Sequence, residues 1–282
     1  MSDYKNTKWA NKITKLQKDD GSWGYFHTLS EPKPEQPMTT EQALRRLRIL
    51  GFEKEDMVIK KALYYMHDCL SGRKAIPDHR EKGLDWDVFT DLMLATWIRR
   101  FTHEDSLAND IAEKWRNAAV AAFCTGQYNA EAFYNAFDKR PNQKYGRLAG
   151  LDTYYPISLL AGEIDENIEK AYYNYIINSE TGYYYGFTGS ITRLPNEFCS
   201  KEASRYLAAI EVYCEHTNKY CKDNLGFVVQ WLNDNKNAKG KWDMGTTVKD
   251  GVYFPMSDSW RTSELRENDC SYRIEKIISA LE

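Results

Sequence analysis

Long apolar runs are missing from this sequence. No window of about 18 uninterrupted apolar residues occurs in the chain, so no helix able to span a bilayer is expected. The opening segment, MSDYKNTKWANKITK, has no apolar centre of the kind an export signal needs, and the cytoplasm is the expected address. Proline is sparse, with 8 in 282 residues, and no low-complexity tract interrupts the chain, whose length allows one large core or two small ones. Cysteines are neither clustered nor regularly spaced: Cys69, Cys124, Cys199, Cys214, Cys221 and Cys270 are scattered and read as reduced and mostly buried. A basic stripe is also absent. With 38 basic against 41 acidic residues the net charge is -3, which argues against a nucleic-acid surface. The densest basic group, Lys236, Lys239 and Lys241, sits in a polar loop and reads as solvated.

Aromatic residues are plentiful, with 20 Tyr, 11 Phe and 8 Trp, enough to line a stacking surface as well as a core. Helical periodicity dominates. TTEQALRRLRIL opens with Thr39 and carries Gln42 three residues on, a capping-box start, and Gly51 is placed to end that helix. Further helices are expected from Asp56 to Leu70, Asp85 to Phe101, Ser106 to Phe123, Ile164 to Asn178, Lys201 to Thr217, Lys219 to Asn233 and Asn268 to Leu281. Shorter ones are expected over Ala130–Phe137 and Thr153–Ala161, with GYYYGFTGSI as a short extended piece. Short connections such as the Asn218 corner alternate with long ones, Asp19 to Met38 and Asp234 to Ser257, which is the spacing of stacked helical hairpins.

Weak internal repeats support that reading. ILGFEKEDMVIKKALYYM matches LLAGEIDENIEKAYYNY, with Ile59 and Ala62 answering Ile168 and Ala171. LQKDDGSWG matches LNDNKNAKGKWDMG, so that Leu16, Gly21 and Trp23 answer Leu232, Gly240 and Trp242. A third version, INSETGYYYGF, places Gly182 and Tyr184 at the Gly-x-aromatic positions. In the first copy Gln17 is placed to donate to carbonyls at a helix end or in the next turn, and Trp23 to plug the helix ends.

Gln17, Gly21 and Trp23, in the pattern Gln-x-x-x-Gly-x-Trp, resemble the QW repeat of the terpenoid cyclase and protein prenyltransferase superfamily. The resemblance implies an all-α fold, a single α/α-toroid domain over 1–282 whose inner helices ring a cavity for a small-molecule ligand. Similar DGSWG turns occur in thioester-containing complement-like domains, but those need a Gly-Cys-Gly-Glu-Gln core that no cysteine here occupies. The superfamily's catalytic motifs do not carry over. Asp85-Trp86-Asp87-Val88 lacks the last acid of Asp-x-Asp-Asp, and Asp269-Cys270 is not spaced as a prenyltransferase zinc set. No cofactor and no metal are expected.

In such a ring the inner helices start near Thr39, Asp85, Asp152, Glu197 and Asp258, and their N-terminal ends face the cavity mouth. That selects Glu41, Asp85, Trp86, Asp87, Asp91, Asp152, Tyr154, Tyr155, Glu197, Arg205, Trp260 and Arg261. Within LDWDVFTDLMLATWIRR, the run Val88 to Ile98 is apolar nearly all round and Asp91 is its one ionisable residue. Asp87 and Asp91 are four apart and share a face, so they are the candidate catalytic acids, and Asp85 is the candidate cap. Trp86, Asp152, Tyr154, Tyr155, Glu197, Trp260 and Arg261 are the candidate ligand contacts. Trp260 beside Arg261 reads either as a clamp or as a core tryptophan next to a salt-bridged arginine. Cys214, His216 and Cys221 hint at zinc but lack a fourth ligand, so packing is the plainer account. Three functions follow: chemistry on an apolar isoprenoid-like ligand, carbohydrate chemistry with two carboxyl groups across a cleft, or binding without catalysis. The oligomeric state is left open.

Overall fold

A computed structural model of the chain describes residues 4–183, 186–216, 219–248 and 252–282. Two readings, Tyr184 as a Gly-x-aromatic position and Asn218 as a helix corner, lie outside these residues. The protein is all-helical: among the described residues there are eleven α-helices, and extended pairing is limited to isolated bridges such as Tyr183 with Phe187. The chain divides into two compact units, 1–118 with 130–150 and 119–129 with 151–282.

The first unit holds α1 (Lys8–Lys15), α2 (Thr40–Ile49), α3 (Met57–Leu70), α4 (Trp86–Arg99), most of α5 (Ser106–Phe123) and α6 (Ala130–Asn135). The capping box forms as read: Thr39 Oγ1 accepts from the Gln42 amide and Gln42 Oε1 from the Thr39 amide. α4 packs along α3, and Phe89, Leu92, Met93, Leu94, Ala95, Trp97 and Ile98 are buried. Asp91, on the same helix, is half-buried, which matters below.

The second unit holds α7 (Tyr154–Leu159), α8 (Glu166–Ile177), α9 (Lys201–Tyr213), α10 (Lys219–Asp234) and α11 (Ser263–Leu281). Two boundaries differ from the sequence reading by more than two residues. α11 is capped at Thr262 and does not wait until Asn268, because its polar first turns are anchored: Arg266 pairs with Asp243 and Glu267 with Lys239. α9 stops at Tyr213 instead of running to Thr217, and His216 just beyond it is fully buried.

The tryptophan turn repeats in the structure, with Ile13 and not Leu16 answering Leu232. Trp23 donates its indole N–H to the Ile13 carbonyl at 2.8 Å and its amide to Thr40 Oγ1 at 3.0 Å. Trp242 donates its indole N–H to the Leu232 carbonyl at 2.6 Å and its amide to Ser271 Oγ at 3.2 Å. In each copy the indole reaches a carbonyl 10 residues back and the amide reaches a hydroxyl on the following helix. Gln17 donates to the Gly21 carbonyl, as expected of the turn, and also to the Val58 carbonyl on α3. Gly21 is required: its φ is 94°, and a Cβ there would lie 2.2 Å from the Lys61 carbonyl oxygen. The other repeat is looser. Ile59 and Ala62 are fully buried, but Ile168 and Ala171 are only half-buried. The core stripe of α8 runs instead through Glu169, Tyr172, Tyr173 and Ile176, one position later.

Candidate functional site

In the first unit the N-terminal parts of α2 and α4 carry Glu41, Asp85, Asp87 and Asp91, half of the charged residues selected above. Asp85 caps α4 by accepting from the Val88 amide at 3.2 Å. It also meets Lys139 at 2.6 Å, and its own amide donates to the Arg147 carbonyl. Burial pushes the Asp85 carboxyl up, but the Lys139 bond, the Val88 amide and the Lys139 charge together hold it below its usual value. Asp87 points outward, with its side chain 82 % exposed, and accepts from Arg80 at 2.7 Å. Burial on an apolar helix pushes the Asp91 carboxyl up to about 6. The charges of Asp87 and Asp85 push the same way, and Lys114 opposes them. Trp86 is half-buried and packs on Phe89 with ring centroids 5.9 Å apart.

Behind this face lies a carboxylate that the sequence reading placed at the mouth. Glu41 is buried, 1 % exposed. It accepts from the Trp97 indole at 2.8 Å and from the Thr28 amide at 2.7 Å. Burial is the largest influence and raises its pKa, but Arg45, His27 and those two hydrogen bonds outweigh it and keep the carboxyl low. His27 is itself buried and sets its ring edge against Phe89, with centroids 5.7 Å apart. Asp78, in the α3–α4 connection, holds the same loop from the other side: it accepts from the amides of Phe26 and His27 and from Ser30 Oγ. Sequence reasoning passed over Asp78, because nothing local marks a loop aspartate whose partners lie so far back in the chain.

In the second unit the Tyr154 and Tyr155 rings pack together, and Asp152 lies near Tyr172 and Tyr213. Tyr154 and Tyr155 are buried, with centroids 5.2 Å apart, and Tyr154 faces Tyr183 at 6.3 Å. Burial raises the Asp152 carboxyl, and its charge reaches the Tyr172 and Tyr213 phenols. The remaining candidates are placed differently. Glu197 and Arg205 are exposed before and on α9, and Arg261 is exposed before α11. Trp260 is in the core, 4 % exposed, with its indole N–H committed to Asp269 Oδ2 at 2.7 Å. Asp269 also accepts from the Met256 and Ser257 amides and from Ser257 Oγ, so it pins the loop ahead of α11. The signal that could have found it was an acid beside Cys270 on the apolar stripe.

The cysteine–histidine group is packing. His216 Nδ1 lies 3.0 Å from Glu169 Oε1 and Nε2 lies 2.8 Å from the Ile157 carbonyl, so both ring nitrogens are engaged. Cys221 Sγ accepts from the Tyr173 hydroxyl at 3.0 Å. Among the described residues no cluster of three or more His, Cys, Asp or Glu is arranged to hold a metal ion.

No protein-family model, curated protein or solved structure matches the chain.

Proposed function

We propose that this chain is a small-molecule-binding helical protein of the α/α-toroid kind, and that Asp91 exchanges a proton with the ligand. The observation that carries this reading is the Asp91 carboxyl, raised to about 6 within the apolar Val88–Ile98 run of α4. A group that titrates near neutrality is suited to general acid–base work at neutral pH.

The same magnitude discriminates between ligand classes. Protonating the carbon–carbon double bond of an isoprenoid-like ligand calls for a strong acid, and a carboxyl near 6 is a weak one. Protonating an oxygen leaving group suits it well. Asp87 lies one helical turn away on the same face, paired with Arg80 at an exposed rim, so polar groups flank Asp91. A hydroxyl-rich, carbohydrate-like ligand is therefore better supported than an isoprenoid, with Asp91 as the proton donor and Asp87 as a polar contact at the rim.

The test is titration calorimetry and product assay against a panel of neutral oligosaccharides and, in parallel, a short prenyl alcohol. A sugar is expected to bind, with Asp91→Asn abolishing turnover and sparing affinity. Binding of the prenyl alcohol alone restores the isoprenoid reading. Unchanged turnover in both Asp91→Asn and Asp87→Asn removes the catalytic role.

A further inference from the structure

A second, separate feature lies in the first unit, where α1 ends and the long α1–α2 loop turns back. A cavity of about 70 Å³ is lined by Lys18, Gly24, Tyr25, Lys33, Gln36 and Pro77. It has room for a few waters or one small ion, and not for a sugar ring or a nucleotide. Two of its six lining residues are cationic and none is acidic. Among the described residues no carboxylate forms an ion pair with the Lys18 or Lys33 ammonium, whereas other lysines of this unit are paired, Lys54 with Glu104 and Lys74 with Asp68.

The lining offers donors and little to receive them. Among the described residues the backbone amides of Gly24 and Tyr25 find no acceptor, whereas the next three, of Phe26, His27 and Thr28, are all taken by Asp78 or Glu41. Lys33 lies over the Tyr25 ring, its ammonium 5.4 Å from the centroid, which holds that charge at the cavity edge. Gly24 keeps the wall open: its φ is 101°, and a side chain there would press on Gln36 at 3.2 Å. The loop around the cavity is held firmly, because Asp78 and Glu41 pin residues 26–30 immediately beside it. Two ammonium groups and two open amides on a fixed frame form an electropositive concavity that excludes large ligands.

From this we infer that the cavity is a binding site for a tetrahedral oxyanion of the phosphate class, with Lys18 and Lys33 supplying the charge and the Gly24–Tyr25 backbone supplying oriented donors. It is independent of Asp91 and of the ligand proposed for that face.

The experiment is an amide NMR titration of the intact chain with inorganic phosphate, with sodium chloride at matched ionic strength as control. Saturable shifts confined to Gly24, Tyr25, Gln36 and their neighbours are expected, with Lys18→Gln and Lys33→Gln each weakening binding about tenfold or more. Both lysines are exposed, so the variants are expected to fold, and their unperturbed spectra elsewhere check it. A parallel arm uses glycerol phosphate. Tighter binding there identifies the ligand as a phosphate ester, and weaker binding identifies the free ion. Equal shifts with chloride, or affinities unchanged in both variants, overturn the assignment and leave an ionic-strength effect only.

Discussion

The Trp97 indole N–H donates to Glu41 Oε1 across 2.8 Å, from one buried helix to the first turn of another. That bond joins residues 56 apart in sequence and, with the charges of Arg45 and His27 and the Thr28 hydrogen bond, holds the buried carboxyl below its ordinary value.

Trp97→Phe is expected to cost about 2 kcal/mol, because it takes one hydrogen bond from a buried charge. The pH dependence has a definite sign. The Glu41 carboxyl is held below its ordinary value of 4.5, so its contribution is complete above that value and is lost as pH falls through the lower folded one. Urea unfolding at neutral pH and again in acid, below the ordinary carboxylate range, checks both points: the gap between wild type and Trp97→Phe should narrow in acid. An equal gap under both conditions contradicts an ionised Glu41.

Asp91 has the opposite sign. Its folded carboxyl lies near 6 against an ordinary 3.8, so the native state holds the proton more tightly than the unfolded chain does. Stability therefore declines as pH rises from about 4 through 6, and levels off above. Asp91→Asn removes this slope and should be more stable than wild type in mild alkali by roughly 1 kcal/mol, a value reduced for the part of the carboxyl that solvent screens. Thermal unfolding of both proteins from mild acid to mild alkali measures it.

Two glycines separate steric need from backbone need. Gly51 has a φ of 89° and nothing within 4 Å of the place a methyl group would take, so Gly51→Ala should cost about 1 kcal/mol from backbone strain alone. Gly21→Ala adds a clash with the Lys61 carbonyl and should cost at least about 3 kcal/mol. Chemical denaturation of the pair distinguishes them; similar losses refute the close approach of that turn to α3.

The matched tryptophans should behave alike. Trp23→Phe and Trp242→Phe each remove an indole N–H from a buried carbonyl and are expected to lose about 1–3 kcal/mol apiece. Comparable losses measured by urea unfolding support equivalent roles for the two turns. A loss in only one shows that the repeat persists as geometry without equal energy.

Helix identity was legible in the sequence because it rests on local chemistry. The Thr39–Gln42 capping box, the apolar run of α4 and the Gly21–Trp23 turn each depend on residues a few positions apart, and each forms as read. The raised Asp91 carboxyl was legible for the same reason, since the one ionisable residue in the apolar run Val88–Ile98 announces its own desolvation. Tertiary structure alone decided which polar groups meet. Asp78 on the Phe26 and His27 amides, Asp269 on the Trp260 indole and Glu169 on His216 are pairings that no local pattern marks. Periodicity tells which face of an element is buried, and a buried polar group must find a partner; which partner it finds depends on how the chain packs.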